Sequence, residues 1–333
     1  MSYNNSISII IPSNHCYDDL LYLIKSICIQ TLKPLEIIII DSNITDNREK
    51  IKKIFLILES NSINLIYKHY LKSYPGHARN LGFNLSQGEI IAFLDVKTIP
   101  SPNWLEKSVE MLITDSKIEG VFGSTSFCAD TVFEQLIRDS FFGILPRKTL
   151  PGSLFKRDLL YKSGEFIEWV RAGEDTEWML RIKLLKKPII YIQSNLIQYI
   201  GLKNISLTKL IQKWYRNYSA SYELPHYFTQ KLLLWLVLYP LIIFIAFNWN
   251  YLFANWIEDS PFYLAHITKI SIIIPIFIYI LIRGIVLPFH RGVLLKNIIP
   301  FRFVFITLIT FIADLVKILA FTKLKYKSKN GIN

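Results

Sequence analysis

The chain has 333 residues and a mass of 38.9 kDa, 51% hydrophobic and 19% charged, with a mean hydropathy of +0.31. That length calls for a large domain plus an appendage, or two domains, and that composition excludes disorder, a collagen-like repeat and a small disulfide scaffold. The net charge of +12 gathers where the chain is most apolar, 4 of it on residues 1–230 and 8 on residues 231–333, which points to an anionic membrane surface rather than to nucleic acid.

The first residues, MSYNNSISIIIPS, carry no basic leader and no apolar run long enough for a secretory signal, so the front of the protein is expected in the cytosol. Short β-branched runs then alternate with amphipathic stretches, the pattern of a βαβ layout with a buried parallel sheet. Ser6–Pro12 and Glu36–Asp41 are predicted strands on either side of a helix over Asp18–Thr31, and Asn64–Tyr67 and Glu89–Asp95 continue the series. Open sheets of this kind bind ligands beyond the carboxyl ends of their strands, so Pro12, Asp41 and Asp95 are expected around one crevice. Each, taken singly, is also an ordinary polar or turn residue where a strand meets a loop. Cys16, Cys28 and Cys128 and the six histidines show no metal-ligand spacing.

Leu207–Tyr222 is basic, aromatic and amphipathic, and is expected as an interfacial helix with Trp214, Tyr215 and Tyr218 at headgroup depth. Beyond about residue 225 the texture changes. A membrane region over 226–333 is predicted, with apolar segments at about 232–253, 268–287 and 303–321. The connector after the first segment holds Glu258 and Asp259, while Arg291, Lys296 and Arg302 follow the second, so the connector is expected outside and both flanks in the cytosol. In the third segment Thr307, Thr310, Asp314 and Lys317 form one polar stripe on a helix. An in-plane helix with a cytosolic tail is the reading preferred here. A third crossing with Asp314 and Lys317 paired inside a bundle is its alternative.

Over roughly residues 6–225 the motifs, in order and spacing, resemble a family 2 glycosyltransferase of the GT-A type. The likeness implies a Rossmann-like, mostly parallel α/β domain (1–225) that takes a nucleotide-sugar donor and inverts the sugar's anomeric centre. Ser6–Asn14 (SISIIIPSN) is similar to the family's first strand and its loop. Asp41–Asp46 (DSNITD) resembles the DDGSTD segment, which implies base recognition by Asp41, with Ser42 standing where a second acid is usual. Gly76–Gly82 (GHARNLG) resembles G-x-A-R-N-x-G, which places Arg79 and Asn80 beside the donor and has small Gly76 and Ala78 let the backbone approach it.

Phe93–Leu105 (FLDVKTIPSPNWL) resembles the metal-binding Asp-x-Asp region, but Lys97 occupies the second acid's place. Asp95 could hold Mg2+ or Mn2+ only with help from elsewhere. Lys97 is read as a built-in cation for the diphosphate leaving group, against a silent site or a plain Asp95–Lys97 ion pair, and activity is then expected to persist in EDTA. Gly173–Leu185 (GEDTEWMLRIKLL) resembles the family's ED segment, which implies Asp175 as general base and Glu174 as an acceptor-positioning group. The expected partners are a nucleotide sugar, a lipid-linked or glycan acceptor and membrane lipids. The expected place is the inner or plasma membrane, multi-pass, with a cytoplasmic catalytic domain. Alternatives are transfer to a polyprenyl phosphate and a catalytically silent nucleotide-sugar-binding membrane subunit.

Overall fold

The computed structural model describes residues 6–14, 16–44, 48–194, 196–224 and 240–330. In chain order the first half runs β1 (Ile7–Ser13), α1 (Tyr17–Cys28), β2 (Glu36–Asp41), α2 (Arg48–Glu59), β3 (Asn64–His69), α3 (Pro75–Leu85), β4 (Ile90–Phe93), β5 (Thr98–Pro100), α4 (Trp104–Ile113) and β6 (Gly120–Phe127). Then follow α5 (Val132–Phe141), β7 (Arg147–Lys156), α6 (Arg157–Ser163), α7 (Glu174–Leu184), β8 (Ile189–Tyr191), β9 (Ile197–Tyr199) and α8 (Leu207–Ser221).

Isoleucine dominates the first strands, and its β-branched side chain packs well on a pleated surface. Successive side chains leave opposite faces. Ile9, Ile11, Ile37 and Ile39 enter one core with Leu20, Leu23, Ile24 and Ile27 of α1, while Ile10, Ile38 and Ile40 enter a second with Ala78 of α3 and Trp178 of α7. A sheet buried on both faces needs helices on both, which is why these strands read as unbroken apolar runs.

The strand order is β3-β2-β1-β4-β7-β6-β9-β5, with β8 also paired to β6. β1 runs parallel to β2 and β4, β2 to β3, and β6 to β8 and β9, whereas β7 is antiparallel to β4 and β6, and β5 to β9. The sheet is thus mixed and mostly parallel, as expected for the GT-A type. Register pairs Ser13 with Asp41 and Ile10 with Phe93, so the carboxyl ends of β1, β2 and β4 open on one edge.

At the C-terminal end, residues 240–247 are helical, followed by α9 (Trp249–Ala254), α10 (Ile267–His290), α11 (Leu295–Ile298) and α12 (Arg302–Asn330). The expected segment at 232–253 lies partly outside the described residues. Among the described residues, two helices are long and apolar enough to cross a membrane by length and composition, Ile267–His290 and Arg302–Thr322. Their exposed apolar side chains suggest membrane association.

The second of these is docked on the α/β domain. Ile306, Ile309, Ala313, Val316 and Ala320, at helical steps of three and four, are buried, while Phe305, Leu308, Phe311, Leu315, Ile318 and Leu319 are exposed. Ile306 and Ile309 pack with Leu136 of α5 and Trp214 of α8. Tyr222 meets Phe321 at 5.5 Å between ring centroids, the Lys317 ammonium lies 5.2 Å from the Tyr218 ring, and an Arg302 nitrogen lies 3.3 Å from an Asp139 oxygen. This corrects the expectation for Trp214. Its ring is 5.0 Å from that of Phe141, inside the seam between α5, α8 and α12, because the seam offers it more apolar surface than an exposed helix face would. Asp314 accepts from the Tyr279 hydroxyl at 3.0 Å, the Arg283 Nε–H at 3.1 Å and the Lys317 ammonium at 3.2 Å, which ties α12 to the middle of α10.

Candidate active site

A cavity of about 720 Å³ opens at the carboxyl edge of the sheet. Pro12, Ser13 and Asn14 line it from the end of β1, Ser42 from the end of β2, and Asp95 from just past β4. Pro75, Ala78 and Arg79 come from the first turns of α3, Arg171 through Thr176 from the entry to α7, and Lys213, Arg216, Asn217, Tyr218 and Ser221 from one face of α8.

Arg79 organises the floor. It is 3% exposed, and its guanidinium donates to a Glu174 oxygen at 2.6 Å and to Asp95 Oδ1 at 3.0 Å. Burial alone would lower this group, but the Asp95, Glu174 and Asp175 carboxylates outweigh it and hold the guanidinium above its ordinary value. Glu174 is 4% exposed, and burial, reinforced by the neighbouring Asp175 charge, pushes its carboxyl up to about 7 against the opposing pull of Arg79.

The turn into α7 separates two adjacent carboxylates. Gly173 sits at φ +95°, a left-handed conformation that glycine adopts without strain, and a Cβ there would also press on Leu224. From this turn Glu174 points inward to Arg79, whereas Asp175 stays half-buried on the cavity wall. One Asp175 oxygen accepts from the Thr176 N–H at 2.7 Å and from the Thr176 hydroxyl at 3.3 Å. The first turn of a helix favours acidic side chains through its free N–H groups and dipole.

The other expected site residues fall as follows. Asp41 is 2% exposed. It accepts from the Asn43 side-chain amide at 2.5 Å and the Tyr67 hydroxyl at 2.9 Å, with its neighbour Ser42 on the cavity surface. Thr45 and Asp46 lie outside the described residues. Asn80 is not among the cavity-lining side chains. Its amide donates to the Phe166 carbonyl and to Glu168, both at 2.9 Å, and accepts from the Phe166 N–H at 2.9 Å, so it clamps the segment that leads to α7. Gly76 likewise serves that segment. A Cβ on it would collide with the Ile167 carbonyl, so its smallness admits the protein's own backbone rather than a ligand.

Lys97 is also absent from the lining. Its ammonium lies 3.8 Å from Asp19 of α1, and the Asp95–Lys97 pair considered from sequence gives way to Asp95–Arg79. The reason is geometric: two residues past Asp95 the chain has begun the turn into β5, which carries the Lys97 side chain toward α1. Mg2+ or Mn2+, which the Asp-x-Asp likeness would bring to Asp95, is not fitted by this donor set. One Asp95 oxygen is taken by Arg79, a lysine replaces the second acid, and among the described residues no three His, Cys, Asp or Glu side chains gather into a metal-binding group. No step below runs through a metal.

Residues 8–163 match the model for Glycosyl transferase family 2. Those residues are just under half of the chain. Among curated proteins, the chain is 31% identical over 115 residues to the uncharacterized glycosyltransferase YibD of Escherichia coli K12, covering 34% of this chain and 33% of that one. It is 25% identical over 219 residues to glycosyltransferase GlyG of Streptococcus pneumoniae, covering 58% and 70%. It is 34% identical over 121 residues to an Escherichia coli protein, UDP-Glc:alpha-D-GlcNAc-diphosphoundecaprenol beta-1,3-glucosyltransferase WfaP, covering 36% and 45%. The alignments therefore span between a third and about 70% of these relatives' lengths.

Several residues of the cavity carried no motif signal. Tyr67 holds Asp41 from the next strand, a contact set by the β2–β3 register. Lys213 and Arg216 reach the cavity because α8 lays one face along it, and Arg171 reaches it from the segment that leads into α7. The amphipathic pattern of α8 was visible in sequence, but amphipathicity says nothing about which surface the polar face meets. Arg181 donates to Glu177 at 2.6 Å.

Proposed function

We propose that the protein transfers a single sugar from a nucleotide-sugar donor to a hydroxyl of a lipid-linked acceptor at the cytosolic face of a membrane, with inversion at the anomeric carbon. The observation that supports this most is the opening of Asp175 onto the same cavity as Asp95 and Arg79, although the three are remote in sequence.

In this mechanism Asp41 and the β1 loop at Pro12 receive the nucleotide, and Arg79, held by Glu174 and Asp95, faces the donor between base and sugar. The acceptor oxygen attacks the anomeric carbon from the side opposite the diphosphate. The bond from that carbon to the phosphate oxygen breaks, and its electron pair leaves with the nucleoside diphosphate. Asp175 takes the acceptor's hydroxyl proton as attack proceeds, since a sugar hydroxyl is a weak nucleophile until it is deprotonated. One displacement on one face inverts the centre. Glu174 acts through Arg79 and is a positioning residue rather than a group that meets the acceptor.

The lipid-linked acceptor is supported by the name of WfaP, which specifies a diphosphoundecaprenol-linked sugar, and by the apolar C-terminal helices. On this reading residues 226–333 form the membrane region, α10 enters the bilayer, and α12 lies in its plane with its exposed phenylalanines and leucines toward the lipid. The test is Asp175→Asn. Turnover should fall by about a hundredfold or more, the scale of a general-base contribution, while nucleoside diphosphate still raises the melting temperature of the detergent-solubilised protein. Turnover kept within about tenfold removes Asp175 from the base role.

A further inference from the structure

Three further cations line the cavity, two on α8 and one on the segment that enters α7. Arg171 lies just before α7, and Lys213 and Arg216 lie one turn apart on α8. Among the described residues, none of the three has a carboxylate within 4.0 Å, and Lys213 finds only the Tyr199 hydroxyl, at 3.4 Å. Burial, and then the Arg216 charge, hold Lys213 below its ordinary value, while burial and Arg171 do the same for Arg216. The carboxylates of the cavity do not relieve this crowding, because Asp95, Glu174 and Asp175 surround Arg79. Uncompensated like charges brought together on a concave surface attract an anion, and phosphate oxygens suit both Lys and Arg.

Which anion follows from where the wall stands. The nucleotide end of the cavity lies at β1 and β2. The base of α8 packs over the other end of the sheet, where Leu210 and Trp214 meet Phe127 of β6 and Tyr199 of β9. Between β1 and β6 stand β4 and β7, so the two ends are roughly 14 Å apart at the usual strand spacing. Asp95 and Arg79 lie between them, where the donor's own diphosphate would sit. The opposite side of α8 rests on α12, whose far face is apolar and exposed. Two helices, α8 and α12, about 20 Å together, thus stand between the cavity and a lipid-seeking surface.

We infer that Arg171, Lys213 and Arg216 form a subsite for the diphosphate that joins the acceptor sugar to its lipid. The acceptor sugar then projects toward Asp175, and the lipid chain leaves past α8 toward the exposed face of α12. This rests on the lipid-linked acceptor proposed above, and it adds how such an acceptor is told from a free sugar.

The test titrates decyl diphosphate into the full-length protein in non-ionic detergent by calorimetry, with and without saturating UDP or GDP. In parallel it compares transfer to a decyl diphosphate-linked sugar with transfer to the decyl glycoside of that sugar. Arg216→Ala and Lys213→Met should each weaken decyl diphosphate binding by about tenfold or more, as expected for a lost charge-assisted contact. They should lower the preference for the phosphorylated acceptor by a similar factor. Lys213→Arg, which keeps the charge, should restore both, and nucleoside diphosphate-induced thermal stabilisation reports that each variant is folded. Binding unchanged in the two variants overturns the subsite. Displacement of decyl diphosphate by UDP or GDP also overturns it, because the wall would then belong to the donor. Transfer that proceeds with equal preference for both acceptors removes the subsite and keeps the transferase reading. Charge-dependent binding of decyl diphosphate without transfer to any acceptor removes the transferase reading and keeps the subsite.

Discussion

Glu174→Gln isolates the electrostatics of the cavity floor. Glu174 is 4% exposed and its carboxyl is pushed up to about 7 from an ordinary value of 4.5. A carboxyl raised by folding favours the fold while it is protonated. Its contribution is therefore fully present below pH 4.5 and is lost as the pH rises from there to 7. The displacement corresponds to about 3 kcal/mol, of which about 2–3 kcal/mol falls between pH 5 and pH 8. Glutamine keeps an acceptor for the Arg79 guanidinium but does not titrate. Relative to the unmodified protein, Glu174→Gln should thus gain stability between pH 5 and pH 8, by roughly 5–10 °C in Tm at 2–4 °C per kcal/mol. Melting curves of both proteins at pH 5, 6, 7 and 8 decide this. If the two Tm profiles run parallel, Glu174 ionises as an ordinary carboxylate and the buried Arg79–Glu174 arrangement is wrong.

Lys97→Ala should change turnover by less than about fivefold, since an exposed pair with Asp19 contributes little, and EDTA should leave the unmodified enzyme active. A large loss in the variant would return Lys97 to the diphosphate, and a large loss on chelation would show that Asp95 works with an ion. Gly76→Ala should destabilise the protein by about 1–3 kcal/mol through overpacking against the Ile167 carbonyl. Because that carbonyl belongs to the segment leading to α7, turnover should fall at temperatures where the variant is still folded. Circular dichroism melts set beside initial rates separate the two effects.

The first half of the sheet was legible because β1, β2 and β4 are short runs of buried isoleucine, whereas β5 to β9 carry no such run and were not predicted. The acidic end of the cavity was legible for a related reason. Asp95 lies two residues past the end of β4, where chain direction sets its place, and Asp175 was reached through the likeness of Gly173–Leu185 to the ED segment. What could not be read was which neighbour each side chain chooses. Asn80 and Gly76 stand in a motif beside Arg79, yet one bonds the 166–168 segment and the other packs on it, contacts made across 86 or more residues of sequence. Lys97 was assigned to a diphosphate from its place in a pattern, whereas the turn into β5 takes it to Asp19. Trp214 looked like an interfacial anchor because an amphipathic helix has the same pattern whether its apolar face meets lipid or another helix.

That last ambiguity bears on how the site reaches its acceptor. By length and hydropathy alone Arg302–Thr322 qualifies as a span. A span, however, would have to take α8 with it, since Trp214, Tyr218 and Tyr222 contact α12 from Ile306 to Phe321. α8 carries Lys209, Lys213 and Arg216, and each such charge costs about 2.5–3.5 kcal/mol at the centre of a bilayer on insertion scales. Separating α12 from α8 instead would expose the buried stripe from Ile306 to Ala320 and unroof one wall of the cavity. Lying in the plane avoids both costs. The buried stripe stays on the domain, the exposed leucines and phenylalanines reach lipid, and the cations of α8 come to rest at the depth of phosphate headgroups. On the reading proposed above, α8 would thereby set the height of the cavity over the membrane, and a sugar attached by a diphosphate to a lipid would arrive with its phosphates at Lys213 and Arg216 and its hydroxyls toward Asp175.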